Sequence, residues 1–312
     1  MPEVPEVTIL SQYLFTKLKG RLIQKLDVLS GKYTRTKIKG IELLNGSKKY
    51  KITNISSKGK LMWITLSELN NVNNKLYMTS HLGLAGEWKF IKSDNDRIRI
   101  KIHNDGDNSK TYNLCFSDPR NFGNIEIYDD LSHLEDKINK LAPDALKTEF
   151  TDENFIEQVK SFLKKSSKRK DQLIFKVLMA QTKQDGLISG LGNYLTPEIL
   201  YRAKISPFRT MHSLSDTDLK NISQSIKYLV KLSYYNNNTG YMTNFGIFSK
   251  IHKQRIDDGQ YPNYQSSVKL KHNEEFQFNV YRQSKDPLGN KVEKDKTINK
   301  GRTVYWVPAV QF

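Results

Sequence analysis

Gly186-Leu187-Ile188-Ser189-Gly190-Leu191-Gly192-Asn193-Tyr194 stands between two stretches of helical periodicity, Asp171 to Gln181 and Thr196 to Ala203. Its glycines give the backbone room for tight turns. Amides leading into a helix N-terminus form a phosphate cradle, because the first N–H donors of a helix lack intrahelical partners. A helix–two-turn–helix unit needs such a segment, with Asn193 adding a side-chain donor, and so does an ordinary glycine-rich helix connection. Working outward, Asp152 to Leu163 and Asp216 to Leu232 also repeat apolar residues at helix spacing. The second half of the chain therefore reads as a helical domain.

The first half has another texture. Val7, Leu10, Leu14 and Leu18 mark one helix, stopped by Gly20. From Arg21 to about Ile127 short alternating segments follow, among them Lys60 to Leu66, Arg97 to Ile102 and Tyr112 to Phe116. Asn-, Gly-, Asp- and Ser-rich turns separate them, including Asn70 to Lys75 and Asn104 to Lys110, which predicts a β-sandwich or barrel. The pattern changes again near Leu141-Ala142-Pro143-Asp144, so the boundary falls between about Asp130 and Thr151. At the far end Phe276, Phe278 and Val280 alternate, as do Thr303, Tyr305 and Val307, around a turn-rich Lys285 to Gly301. That predicts a β-hairpin appended to the helices. The expected class is α+β, with an N-terminal β-sandwich domain and flanking helices (1–140), a linker (141–151), a helical domain (152–273) and a terminal hairpin (274–312).

Composition narrows the partner. The 312 residues include 50 basic and 33 acidic side chains, a net charge of +17, which points to a polyanion. Nucleic acid fits better than a membrane surface, since no basic amphipathic helix and no membrane-length apolar run stand out. Mean hydropathy is −0.62. The start of the chain lacks a secretory pattern, and the single cysteine, Cys115, cannot form an internal disulfide. An intracellular setting at DNA is expected, in a nucleus or at a cytoplasmic replication site, and not secretion. The basic run Lys164 to Lys170 reads as a solvated helix connection.

Three short stretches carry candidate chemistry. Once Met1 is removed, the chain begins with the secondary amine of Pro2 beside the Glu3 carboxylate, a nucleophile next to an acid/base group; a helix start with a favourable acidic first turn reads the same way. Ser117-Asp118-Pro119-Arg120-Asn121-Phe122-Gly123 is a Pro/Gly-bounded loop that can wedge Phe122 into a duplex while Arg120 pairs with the stranded base. The plainer reading is a β-turn with Phe122 in the core. His81-Leu82-Gly83-Leu84-Ala85-Gly86 is a small-residue turn that presents Leu84.

In order along the chain, Pro-Glu, Lys58-Gly59-Lys60, His81 to Gly86, Asp118 to Gly123, Gly190-Leu191-Gly192-Asn193 and Gly301-Arg302-Thr303-Val304-Tyr305-Trp306 resemble the Fpg/Nei family of bifunctional DNA glycosylases, from Pro2 to Gln311. Members of that family usually end in a four-cysteine zinc finger. Here the matching positions are Leu288, Lys291, Val307 and Val310, which offer no thiolate or imidazole. The chain therefore resembles the zincless-finger, Nei-like branch. The resemblance implies no cofactor, no metal, and packing across the hairpin in place of zinc.

The same resemblance implies residue roles. Pro2 would attack C1′ of a damaged nucleotide, and Glu3 would act as the general acid/base. Lys60 would lie near the scissile phosphate, ahead of Lys58. Asn193 and Arg302 would grip phosphates, and Glu6 would line the base pocket. Leu84, Arg120 and Phe122 would fill the gap left by the flipped nucleotide. Base excision, then β,δ-elimination, is the implied reaction on damaged duplex or single-stranded DNA, by a monomer. Oxidised pyrimidines and hydantoins are the favoured substrates, with an 8-oxoguanine-preferring Fpg-type enzyme as the alternative. The Asn-rich Tyr234 to Gly240 reads as a loop near the base pocket. Two competing readings are a damage-binding protein without catalysis and an RNA- or ribosome-associated basic protein.

Overall fold

The computed structural model describes residues 2–104, 107–236, 254–272, 274–299 and 301–312, with backbone alone for 107–110. It is α+β and divides into two compact units. Of the described residues, the first holds Pro2 and Glu6–Asn139, and the second holds Glu3–Pro5 with 140–236 and those from 254 onward.

Helix α1 spans Val4–Leu18, starting three residues before the apolar repeat that predicts it, and buries Val7, Leu10, Leu14 and Leu18. Pro5 sits in its first turn, where a missing N–H costs nothing. The strands are β1 Leu22–Val28, β2 Tyr50–Lys58, β3 Leu61–Glu68, β4 Lys75–His81, β5 Glu87–Lys89, β6 Asp96–Asn104, β7 Asp107–Ser117 and β8 Asn124–Tyr128, with a short helix α2 at Ile41–Leu44. They form one continuous eight-stranded sheet in the order β5-β7-β6-β1-β2-β3-β4-β8, with every pairing antiparallel. Alternation along β6 buries Ile98, Ile100 and Ile102 on one face and turns Arg99 and Lys101 to the other. Asp27 on β1 accepts from Arg99 at 2.8 Å, and that hydrogen bond holds the Asp27 carboxyl below the usual range.

Cys115, on β7, is buried. Burial, then the nearby Asp96 carboxylate, pushes its thiol up to about 11. At pH 8 only about one molecule in a thousand carries the thiolate. Iodoacetamide is therefore expected to leave the native protein unlabelled and to label it once guanidinium unfolds it; rapid native labelling would contradict this burial.

Helix α3, Leu131–Lys140, occupies the start of the stretch expected to be a boundary. Its apolar residues are too few for a clear repeat. The second unit holds α4 Asp152–Lys164, α5 Ile174–Met179, α6 Leu195–Ala203 and α7 Asp216–Asn236. Helix α5 is shorter than expected because Leu173 and Thr210 form a β-bridge at its start and Ala180 is extended at its end. Helix α7 runs through Tyr234–Asn236, so that part of the expected loop is helical, and 237–240 lie outside the described residues.

The terminal hairpin differs from the expected one. Its strands are β9 Glu293–Asp295 and β10 Val304–Trp306, paired antiparallel. Phe276, Phe278 and Val280 form no strand: Phe276 N donates to Asn236 Oδ1, and Glu198 of α6 takes the N–H groups of Asn279, Val280 and Tyr281. The alternating rings pack instead around Tyr194, with Phe276 at 6.0 Å and Phe278 at 5.7 Å, both edge-on. Among the described residues, no helix is long and apolar enough to cross a membrane.

Candidate active site and nucleic-acid interface

In the first unit, Pro2 is buried just ahead of α1, and Glu6 is buried on the first turn of that helix. Met1 lies outside the described residues. Lys60 sits at the tip of the β2–β3 hairpin, whose two-residue turn is closed by the Lys58–Leu61 pair. Gly59 has φ +55° at the first turn position, the requirement of a type II′ turn. The turn thus fixes Lys60 at a tight corner. Lys58 Nζ donates to the Ile138 carbonyl at 3.1 Å, tying that lysine to α3.

The structure brings the Leu84 turn and the Phe122 loop together. A Cβ on Gly83 (φ +65°) would fall 2.6 Å from the Phe122 carbonyl carbon and 2.7 Å from the Gly123 nitrogen. Phe122 is 62 % exposed and Arg120 is exposed, so the ring is not folded into the core. Leu84 is half-buried. An aromatic ring left in water on a braced loop is the geometry that a base-stack wedge requires.

The brace centres on Asp118, a residue the sequence reading did not single out. Its buried carboxylate accepts from Gly123 N at 2.7 Å and Arg120 N at 3.3 Å, and its carbonyl accepts from Arg97 Nε at 2.7 Å. Asn121, at φ +57°, accepts from Lys32 N through its side chain, and the Tyr33 hydroxyl donates to the Gly123 carbonyl. The Asp-Pro start of the loop is the available signal, because Asx side chains hydrogen-bond the backbone ahead of them. Asp118→Ala leaves the buried Gly123 N–H and the part-buried Arg120 N–H without this acceptor and is expected to cost about 1–3 kcal/mol. Urea unfolding measures the loss, and faster tryptic cleavage after Arg120 reports the loosened loop.

In the second unit, Glu3 is fully buried, 0 % exposed. One of its carboxylate oxygens accepts from Tyr194 N at 2.9 Å and the other from Leu195 N at 3.3 Å, across 191 and 192 positions of sequence. Thr196 N is used by the Gly192 carbonyl and Gly190 N by Gln181 Oε1. Four of the amides at this turn are thus taken, two of them by Glu3, which itself satisfies the N-terminus of α6. Among the described residues, no hydrogen bond engages the N–H groups of Leu191, Gly192 or Asn193, the backbone donors next to the Asn193 side chain. Its Nδ2 donates to the Thr303 carbonyl and its Oδ1 accepts from Asn299 Nδ2, each at 3.4 Å. Arg302 lies inside that bracket, in a turn closed by Arg302 N to Asn299 O at 2.9 Å. Asn193 and Arg302, some hundred positions apart, are therefore neighbours. Among the described residues, no hydrogen bond or ion pair engages the Arg302 guanidinium.

The four positions where the finger would carry zinc ligands do not suit a metal. Val307 is buried with Val280 and Val292, and Val310, Tyr201 and Tyr305 pack against that cluster. Lys291 pairs with Glu293 at 2.8 Å. Leu288 is 76 % exposed and takes no part in the packing. The set offers one amine and no thiolate, imidazole or carboxylate.

Three stretches of the chain match family descriptions in order: the Formamidopyrimidine-DNA glycosylase N-terminal domain at 1–125, its H2TH domain at 141–243 and its C-terminal domain at 266–312. Among curated relatives, the Formamidopyrimidine-DNA glycosylase of Prochlorococcus marinus (strain MIT 9312) is 27 % identical, with both chains covered completely. That of Pelotomaculum thermopropionicum is 29 % identical over 100 % of this chain and 99 % of its own. Among solved structures, the Formamido-pyrimidine DNA glycosylase of Lactococcus lactis, non-covalently bound to an AP-site-containing DNA, superposes with a TM-score of 0.70, at 19 % identity and 99 % coverage of each chain. The MutM (Fpg) protein of Thermus thermophilus gives 0.69 at 20 % identity, over 99 % of this chain and 98 % of that one. The structural likeness establishes the fold. With the three domains in sequence order, the chain belongs to the Fpg/Nei family.

Proposed function

We propose that the protein is a bifunctional DNA glycosylase/AP lyase of base excision repair, acting without a metal. The observation that carries this reading is the fully buried Glu3 carboxylate, locked to the α6 N-terminus and next in sequence to the Pro2 imino group. In the reaction, the Pro2 nitrogen forms a bond to C1′ and the damaged base leaves with the glycosidic electron pair. The deoxyribose ring opens as O4′ takes a proton from Glu3, and the amine proton is lost as the iminium forms. The cationic iminium makes the C2′ proton acidic; its loss expels the 3′ phosphate by β-elimination, and loss of the C4′ proton then expels the 5′ phosphate by δ-elimination, each phosphate leaving with its C–O electron pair. Lys60 and Arg302 serve the phosphates, Glu6 the base pocket, and Leu84, Arg120 and Phe122 the vacated stack.

The finger substitutions favour the zincless, Nei-like branch, and oxidised pyrimidines and hydantoins come first as substrates. A second reading is an 8-oxoguanine-preferring Fpg-type enzyme, and the name carried by both relatives cited above favours formamidopyrimidine among the substrates of that type. Borohydride trapping of Met1-free protein on duplexes bearing 5-hydroxyuracil, a hydantoin, 8-oxoguanine or an abasic site tests class and preference together. A covalent adduct is expected; none on any duplex would leave a non-catalytic damage-binding protein.

Arg302→Ala is expected to leave folding intact, weaken binding to damaged duplex and lower the slope of log affinity against log salt by roughly one unit. Wild-type cleavage by the folded variant would remove the finger from the site.

A further inference from the structure

Helix α6 does more than follow the Asn193 turn. Its middle carries Glu198, 1 % exposed, and Tyr201 one turn later. One Glu198 oxygen accepts from Val280 N at 2.9 Å and Tyr281 N at 2.8 Å, and the other from Asn279 N at 3.0 Å. Burial pushes this carboxyl up, and the three N–H donors oppose that push. Among the described residues it makes no ion pair. A buried carboxylate compensated by three successive backbone donors and the Asn279 side chain fixes the segment that supplies them.

Tyr201 makes a second tie. Its hydroxyl donates to Asp286 Oδ2 at 3.0 Å, and Asp286 also accepts from Leu288 N, Asn290 N and Asn290 Nδ2. Those bonds close the first turn of the finger, where a zinc finger would carry two ligands. The held segments reach Arg302 through packing. Tyr281 packs edge-on against Tyr305 of β10 at 5.3 Å, and Val280 and Val307 share the apolar cluster. Arg302 stands two residues before β10.

We infer that Glu198 is a positioning residue for the proposed DNA contact, holding the metal-free finger on α6 so that Arg302 is presented beside Asn193, with Tyr201 and Asp286 as its second anchor. This rests on the role of Arg302 proposed above. It adds two carboxylates and seven donors to the packing expected across the hairpin in place of zinc.

The test is a double-mutant cycle on the full chain, read as affinity for a duplex with a tetrahydrofuran abasic analogue, below the unfolding temperature of every variant. Glu198→Ala is expected to weaken binding about tenfold in the wild-type background and less than about twofold in the Arg302→Ala background, because it acts through that residue. Glu198→Gln keeps the oxygen that receives Val280 and Tyr281 and is expected to bind near wild type. Tyr201→Phe keeps the ring in the apolar cluster and loses only the hydroxyl. Its loss, several-fold, is also expected to vanish when Arg302 is absent, so the cycle stands even if Glu198→Ala fails to fold. A purely structural role would lower the melting temperature and leave affinity and salt slope unchanged. Additive losses across the cycle, or wild-type affinity in folded Glu198→Ala and Tyr201→Phe, overturn the inference alone. Wild-type binding by Arg302→Ala overturns the reading of the finger as a DNA contact, and this inference with it.

Discussion

Pro2→Gly is expected to lower borohydride-trapped adduct formation by on the order of a thousandfold, with the fold unchanged. The variant still ends in an amine, so the loss tests more than the presence of a nucleophile. A pyrrolidine nitrogen that condenses with C1′ has no proton left and becomes an iminium, a permanent cation that draws electrons from the sugar. The primary amine of glycine gives a neutral imine, which must acquire a proton before it can do the same. Proline also fills its site with a rigid ring, and Pro2 is buried ahead of α1, where glycine would leave a gap and a freer chain end. Intact mass supplies the companion measurement. Any fraction that retains Met1 has this nitrogen in an amide and is expected to be absent from the adduct. Trapping by Pro2→Gly at the wild-type rate, with the crosslink mapped to Lys60, would move the nucleophile to the β2–β3 turn.

Much of the architecture was legible because it rests on local periodicity. The α1 apolar repeat, the β6 alternation and the start of α7 at Asp216 each follow from side chains a few positions apart. The Gly59–Lys60 corner carries a signal of the same local kind, glycine before lysine ahead of an alternating run, although the sequence reading placed Lys60 in the strand and no hairpin there. What was not legible depends on partners far along the chain. Phe276, Phe278 and Val280 alternate as a strand should, yet Phe276 N donates to Asn236 Oδ1 and the N–H groups of Asn279, Val280 and Tyr281 are captured by Glu198, about eighty positions earlier. The Gly190–Tyr194 amides look free in sequence, and the group that takes one of them, with Leu195 N beyond, is Glu3, at the other end of the chain. A single acidic residue inside an apolar helix pattern reads as a solvated position, so periodicity gives no sign that Glu198 faces inward. Phe122 shows the opposite case: its exposure follows from the Asp118 brace, whereas the loop sequence alone favoured the core.

The largest stability effect is expected at Gly190. Its φ of +105° lies where only glycine is comfortable, and a side chain there costs about 1–3 kcal/mol in backbone strain. A Cβ at this position would also fall 2.4 Å from Val4 Cβ and 2.9 Å from Val4 Cγ1. The neighbour cannot step aside easily. Val4 N donates to the Gly190 carbonyl at 3.0 Å, Gly190 N is held by Gln181 Oε1 at 2.8 Å, and Val4 adjoins the anchored Glu3. Overpacking of this kind adds about 1–3 kcal/mol. Gly190→Ala is therefore expected to cost about 4 kcal/mol, and to cut trapping in whatever protein folds, because it pushes on the segment that carries Glu3. Gly20→Ala is the control: φ is +81° there, but a Cβ would meet nothing within 4 Å. It carries the conformational cost without the collision and is expected to lose about 1 kcal/mol. Equal losses in urea unfolding for the two variants would show that the Val4 contact yields, and that the glycine serves backbone geometry alone.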